Sequence, residues 1–155
     1  VVYIVGEISG AHINPAITVG LWSIKKVGTK DAILSILFQF LGAIIALYIS
    51  NAIAIIPAVP VLNTWMVFWG ELMGAFFFSF GVASVATGKV PPAASGLVVG
   101  GSLFLGASFA SFLSNGVLNP AVALGIGSFS WIYLIAPIIG AMLGMRVFTM
   151  LSREK

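Results

Sequence analysis

Asn14 and Asn119 lie 105 positions apart, and each opens the tripeptide Asn-Pro-Ala, as Asn14-Pro15-Ala16 and Asn119-Pro120-Ala121. The match runs further, because Ile13 to Gly20 reads INPAITVG and Leu118 to Gly125 reads LNPAVALG. Asparagine is a preferred N-cap, and proline at the first helical position gives up no hydrogen bond that the helix would use, so each tripeptide starts a helix. A helix N-terminus carries about +0.5 of a charge, which opposes a cation. The asparagine amide beside it offers N–H donors to a neutral polar molecule. This chemistry selects and guides without making bonds. For bond-making chemistry the chain has one histidine, His12, no cysteine and four acidic residues. No nucleophile has a base beside it in sequence and no metal-ligand spacing occurs, so we expect no catalytic residue, no metal and no cofactor.

The elements that must hold these two asparagines are read from composition. Of 155 residues, 60% are hydrophobic and 7% charged, where a soluble domain carries about 25% charged residues. So few charges cannot cover a water-facing surface, and the chain reads as an all-α membrane protein. The net charge of +3 needs no nucleic acid to explain it once the basic residues are placed. Four apolar segments are long enough to cross a bilayer, namely residues 32–56, 61–86, 93–113 and 131–151, and within them only Glu71 and Arg146 are charged. The chain opens Val1-Val2-Tyr3-Ile4-Val5, with neither the charged start nor the cleavage site of a signal peptide. It reads as the tail of an apolar segment whose earlier part is expected to be missing.

If successive spans cross in opposite directions, Lys25, Lys26, Lys30, Lys89, Arg146, Arg153 and Lys155 all fall on one side. The positive-inside rule makes that side, and the C-terminus, cytoplasmic. Residues 9–25 and 114–129, which hold the tripeptides, are too short to span. About ten helical residues after Asn14 reach roughly 15 Å, half of a bilayer core. Charge placement points both half-helix N-termini at the membrane centre, which is an inverted repeat around a midplane site. The Gly-containing stretches Ser9–Ile13 and Ser114–Leu118 are expected to be extended, with carbonyls that line a polar path because lipid cannot satisfy them.

These residues resemble the aquaporin and aquaglyceroporin family, the major intrinsic proteins. The stretch Ser9-Gly10-Ala11-His12-Ile13-Asn14-Pro15-Ala16 looks like the first family loop, and Asn119-Pro120-Ala121 looks like the second. Gln39 to Ala43, Gly70-Glu71, and Trp131 to Tyr133 with Pro137 to Ala141 resemble the third, fourth and sixth family helices. The resemblance implies a fold with two re-entrant half-helices between transmembrane helices, of which the first helix and most of the second are absent, residues 1–8 being the end of the second. It implies a passive channel for water or small uncharged solutes such as glycerol, urea or ammonia, a homotetramer in a lipid bilayer, and a plasma-membrane location. It also implies that Glu71 accepts backbone N–H groups of the second loop, that His12 packs at the first loop, and that carbonyls of Gly10, Ala11, His12, Asn115, Gly116 and Val117 form a ladder for the permeant. A non-conducting scaffold or adhesion protein on the same fold is the alternative.

One departure bears on selectivity. Most of the family follows the second Asn-Pro-Ala with arginine, where this chain has Val122. The other filter positions align with Ala107 and Gly116, and the fourth would precede Val1. A filter of Val122, Ala107 and Gly116 is expected to be wide, dry and uncharged. Four Gly-x-x-x-Gly spacings, at Gly6/Gly10, Gly70/Gly74, Gly96/Gly100 and Gly140/Gly144, allow close helix approach, and the run from Gly96 to Gly106 is expected to pack around the second half-helix.

Overall fold

The computed structural model describes residues 1–53, 59–61 and 63–153, the last without its side chain. Seven α-helices make up the described chain: α1 (Val2–Ser9), α2 (Pro15–Ser23), α3 (Thr29–Ile53), α4 (Trp65–Ala86), α5 (Ser95–Ala110), α6 (Pro120–Gly125) and α7 (Trp131–Arg153). Four of them are long and apolar enough to cross a membrane, α5 together with the 3₁₀ turn Pro92–Ala94 before it. Arg146 lies in α7, while Lys155 and residues 54–56 of the expected first span are outside the described residues.

Local chemistry sets several helix ends away from where hydropathy alone puts them. Helix α4 begins at Trp65 because Thr64 caps it, its hydroxyl accepting from the Val67 N–H at 3.3 Å. Pro91 and Pro92 force a 3₁₀ turn before α5, and α5 stops at Ala110 where Leu113 and Ser114 both donate to the Ala110 carbonyl. Ser9 is the last residue of α1 rather than part of an extended loop. The chain then turns sharply, with Gly10, Ala11 and Ile13 at φ +73, +51 and +40. Three left-handed residues in four cannot build an extended strand, which overturns that expectation for the first loop. The second loop departs in the same way: residues 115–119 lack regular structure, but Gly116 and Leu118 stand at φ +61 and +53, so it is not extended either.

Packing centres on α4, which lies against both α5 and α7, while α2 lies against α7. Two of the four glycine pairs carry these contacts. A Cβ at Gly140 or Gly144 would fall on the carbonyls of Leu72 or Phe76 in α4, and one at Gly74 would stand 2.7 Å from the Gly106 carbonyl of α5. Backbones approach this closely only without side chains between them. Gly100 and Gly101 face open space and Gly96 faces Tyr3, while Gly106 meets Gly74 of α4 and Leu118, the residue before the second half-helix's cap. The core between α2, α4 and α7 holds Ile17, Leu21, Phe78, Val82, Ala141 and Met145. Phe78 is buried there, and Phe77 meets Phe109 edge-on at 5.5 Å. Trp65 and Trp131 are exposed at the helix starts, as suits aromatic residues at a membrane interface.

Candidate pore junction and its supports

The two half-helices begin as the repeated sequence dictates. Asn14 and Asn119 are extended N-caps, each followed by proline at the first helical position. The Asn14 side-chain oxygen accepts from the Ala16 N–H at 2.9 Å, and that of Asn119 accepts from Ala121 and Val122 at 3.0 and 3.3 Å. With each oxygen committed to its own helix, each amide nitrogen has to point away from it. The nitrogens cross over: Asn14 Nδ2 donates to the Leu118 carbonyl at 2.9 Å and Asn119 Nδ2 donates to the Ile13 carbonyl at 3.1 Å. The two tripeptides are thus tied by a reciprocal pair of bonds between residues about a hundred positions apart. An amide nitrogen carries two hydrogens, so each keeps one for another acceptor.

The half-helices differ in length. Helix α2 has nine residues and α6 has six, fewer than the ten expected and about 9 Å long for α6. Gly127, at φ +70, stops α6: its N–H donates to Leu124, and the Ser128 N–H donates back to Ala123. This is a Schellman ending.

The second loop is held from α4. Glu71, with no exposed surface, receives the Val117 N–H at 2.9 Å, the Leu118 N–H at 2.6 Å and the Ser114 hydroxyl at 2.7 Å. The Ser114 oxygen in turn accepts from the Gly116 N–H at 2.9 Å. The Asn115 N–H reaches the hydroxyl of fully buried Tyr133 at 3.2 Å, and its side chain donates to the Pro60 carbonyl at 2.9 Å. The N–H groups of this loop are therefore spent on protein. The carbonyls of Asn115, Gly116 and Val117 have no protein donor among the described residues. The same holds for Gly10, Ala11 and His12 in the first loop. In both loops three unpaired carbonyls lead to the one that the opposite asparagine holds.

Gly10, Ala11 and His12 line a cavity of about 250 Å³ with Phe78, Val82 and Lys26. It reaches the end of the bundle where α2 and α4 terminate, since Lys26, Val85 and Ala86 all line it. A larger cleft of about 790 Å³ lies between α3 and α6 and is lined by His12, Ile13, Phe38, Gln39, Val122 and Ile126 among others. Ala107 and Gly116 are neighbours, as a Cβ on Gly116 would stand 2.8 Å from the Ala107 carbonyl. Val122, 44% exposed, faces the cleft toward α3 instead. No group of acidic, histidine or cysteine side chains able to hold a metal occurs among the described residues.

Three supporting residues carry no role in the sequence reading: Ser114, Tyr133 and Gln39, the last donating to the Thr18 hydroxyl at 3.0 Å. Ser114 had a usable signal, since Ser9 and Ser114 both stand five residues before their asparagine.

Comparison with known proteins agrees with this geometry. Residues 1–148 match the family model described as Major intrinsic protein. The chain is 30% identical to "Aquaporin AqpM" of Methanothermobacter thermautotrophicus and 31% identical to "Probable aquaporin AqpM" of Archaeoglobus fulgidus, each over 99% of this chain and 72% of the relative. It is 31% identical to "Nodulin-26" of Glycine max over 95% of this chain and 59% of that relative. The chain spans between about half and three quarters of the length of such relatives. Two Asn-Pro-Ala half-helices tied at their N-termini, four long apolar helices and a family match over nearly the whole sequence lead to one conclusion: the chain belongs to the major intrinsic protein family, multi-pass membrane channels for water and small solutes.

Proposed function

We propose that this chain conducts water together with small uncharged solutes such as urea, glycerol or ammonia, past the Asn14–Asn119 junction, and that its outer constriction discriminates less than an arginine-bearing one. The observation that carries the reading is the crossed pair of amide bonds, Asn14 Nδ2 to Leu118 and Asn119 Nδ2 to Ile13. It fixes both nitrogens at one place and leaves each a free hydrogen. A permeant that both accepts and donates meets amide hydrogens at the junction and the unpaired carbonyls of Gly10, Ala11 and His12, then of Asn115, Gly116 and Val117, on either side. A cation has its carbonyl ligands along the path, but at the junction it meets only donors. Passage of this kind needs no catalytic group.

Ala107 and Gly116 where they meet, and Val122 on the α3 cleft, supply neither a charge nor a side-chain donor, so solutes larger than water are not turned away by a guanidinium. In this reading Lys25, Lys26, Lys30, Lys89 and the C-terminus are cytoplasmic, the protein resides in the plasma membrane, and it assembles as a homotetramer within the lipid. Proteoliposome swelling tests the selectivity: Val122→Arg should lower urea flux more than water flux. An equal ratio before and after that change would place the selective element elsewhere. Cysteines introduced at Lys89 and Arg153 should escape impermeant reagent outside intact cells, and ready labelling at either would reverse the orientation.

A further inference from the structure

The inner cavity is apolar along most of its wall, and its one charged lining residue is Lys26. Backbone geometry fixes where that lysine stands. Helix α2 ends in a Schellman motif, with the Lys25 N–H donating to Trp22 and the Lys26 N–H donating to Leu21, at 3.0 and 2.9 Å. Helix α4 ends in the same way, with Gly88 donating to Val85 and Lys89 donating to Ser84. Lys26 and Lys89 thus occupy the same position of two identical caps. They do so at one end of the bundle, because Val85 and Ala86 line the cavity together with Lys26. The left-handed position of such a cap is normally glycine, and Gly88 and Gly127 fill it in α4 and α6. In α2 it is Lys25, at φ +60. A side chain there costs roughly 1 kcal/mol, yet a further positive charge stands at this end of α2 where glycine would have been easier. His12 also lines this cavity, whereas Asp31, the nearest acid in sequence, lines the α3 cleft.

We propose that Lys26, flanked by Lys25 and Lys89, forms a fixed positive collar at the inner mouth and sets much of the passage's discrimination against cations, a task for which Val122 supplies no charge at the other end. The proposal rests on the reading of the cavity as the inner half of the conduit. Lysines after helix C-termini also stabilise helix dipoles, so the test needs a readout that stability alone does not move. In water, a unit charge about 8 Å from a passing cation lowers the local cation concentration about two- to threefold, and reversing the charge doubles the effect in free energy. Screening removes it, the Debye length falling from about 30 Å at 0.01 M to about 3 Å at 1 M salt.

The experiment reconstitutes the chain in liposomes and measures the ratio of potassium leak to urea flux in the same vesicles at both ionic strengths. At low salt, Lys26→Gln should raise the ratio about two- to threefold and Lys26→Glu about fivefold, while Lys26→Arg should keep the ratio of the unaltered chain. At high salt these differences should vanish. Lys89→Gln should shift the ratio in the same direction by less, and it keeps the test decisive where Lys26→Gln does not fold. Urea flux with the same ratio in all folded variants at low salt would overturn the collar and leave the conduit standing. Absence of urea flux in the unaltered chain would overturn both.

Discussion

The two Asn-Pro-Ala segments share their tripeptide and their crossed bonds, yet among the described residues they are held by different contacts. The second has a strongly braced loop and a short helix. Glu71 and Ser114 fix three of its N–H groups, and Leu118 is wholly buried in a slot between Gly74 and Gly106. The first has a longer helix, anchored by six buried residues against α7 and the core, and a loosely braced loop. Its Ser9 hydroxyl reaches the Ala11 N–H at only 3.4 Å, the Ile13 side chain is 57% exposed, and His12 Nδ1 is buried without a partner. The shared Asn-Pro-Ala fixes the geometry of the cap in both halves, while the flanking residues differ and so do the contacts they make. Among the described residues a carboxylate braces the second loop, and packing of α2 against α7 holds the first segment.

That contrast is broken most severely at Glu71. Glu71→Ala strands two N–H groups in the interior at about 1 to 3 kcal/mol each, the Ser114 hydroxyl keeping the Ala110 carbonyl at 3.2 Å, so unfolding in detergent should show a loss of about 2 kcal/mol or more. Ser9→Ala, which removes the side-chain acceptor of a first-loop N–H, should cost less than about 1 kcal/mol. Equal losses would mean that the carboxylate is not the brace. The glycines should separate in sign. Gly140→Ala puts a methyl group onto the Leu72 carbonyl and should destabilise by about 2 to 3 kcal/mol. Gly100→Ala meets nothing and should stabilise α5 by up to about 1 kcal/mol.

Much of this arrangement was legible in the sequence because it rests on local rules. Caps follow from Asn before Pro, spans follow from apolar length, and the shared side of the lysines follows from alternation of crossings. The carboxylate of Glu71 was conspicuous because a charge amid apolar residues demands partners. What stayed hidden was tertiary or fine-grained. Whether a glycine pair serves a close crossing depends on what faces it, so Gly140/Gly144 and Gly6/Gly10 look alike in sequence and differ in the fold. The left-handed turn at Ala11 and Ile13 carries no glycine signal. Tyr133 gives no hint that its hydroxyl meets a backbone N–H eighteen residues earlier in the chain.

Smaller effects are expected at the repeat-related pairs themselves. Asn14 is 4% exposed and Asn119 is more open, so Asn14→Asp should mainly impair folding. Asn119→Asp should leave a folded protein with a raised cation leak, because it replaces a donor at the junction with an acceptor. If the two variants behaved alike in both stability and leak, the halves would be equivalent at their caps. Ile17 and Val122 also correspond, one buried and the other facing the cleft. Ile17→Val should cost about 1 kcal/mol of stability, while Val122→Arg should be tolerated and lower urea flux more than water flux.

Stopped-flow light scattering of liposomes carrying the chain, with water and then urea as the permeant, addresses the conduit itself. The account predicts water and urea permeabilities several-fold above those of protein-free liposomes, with Asn119→Asp adding a cation leak to the same vesicles. Permeabilities equal to those of protein-free liposomes, with the chain folded and inserted, would contradict it.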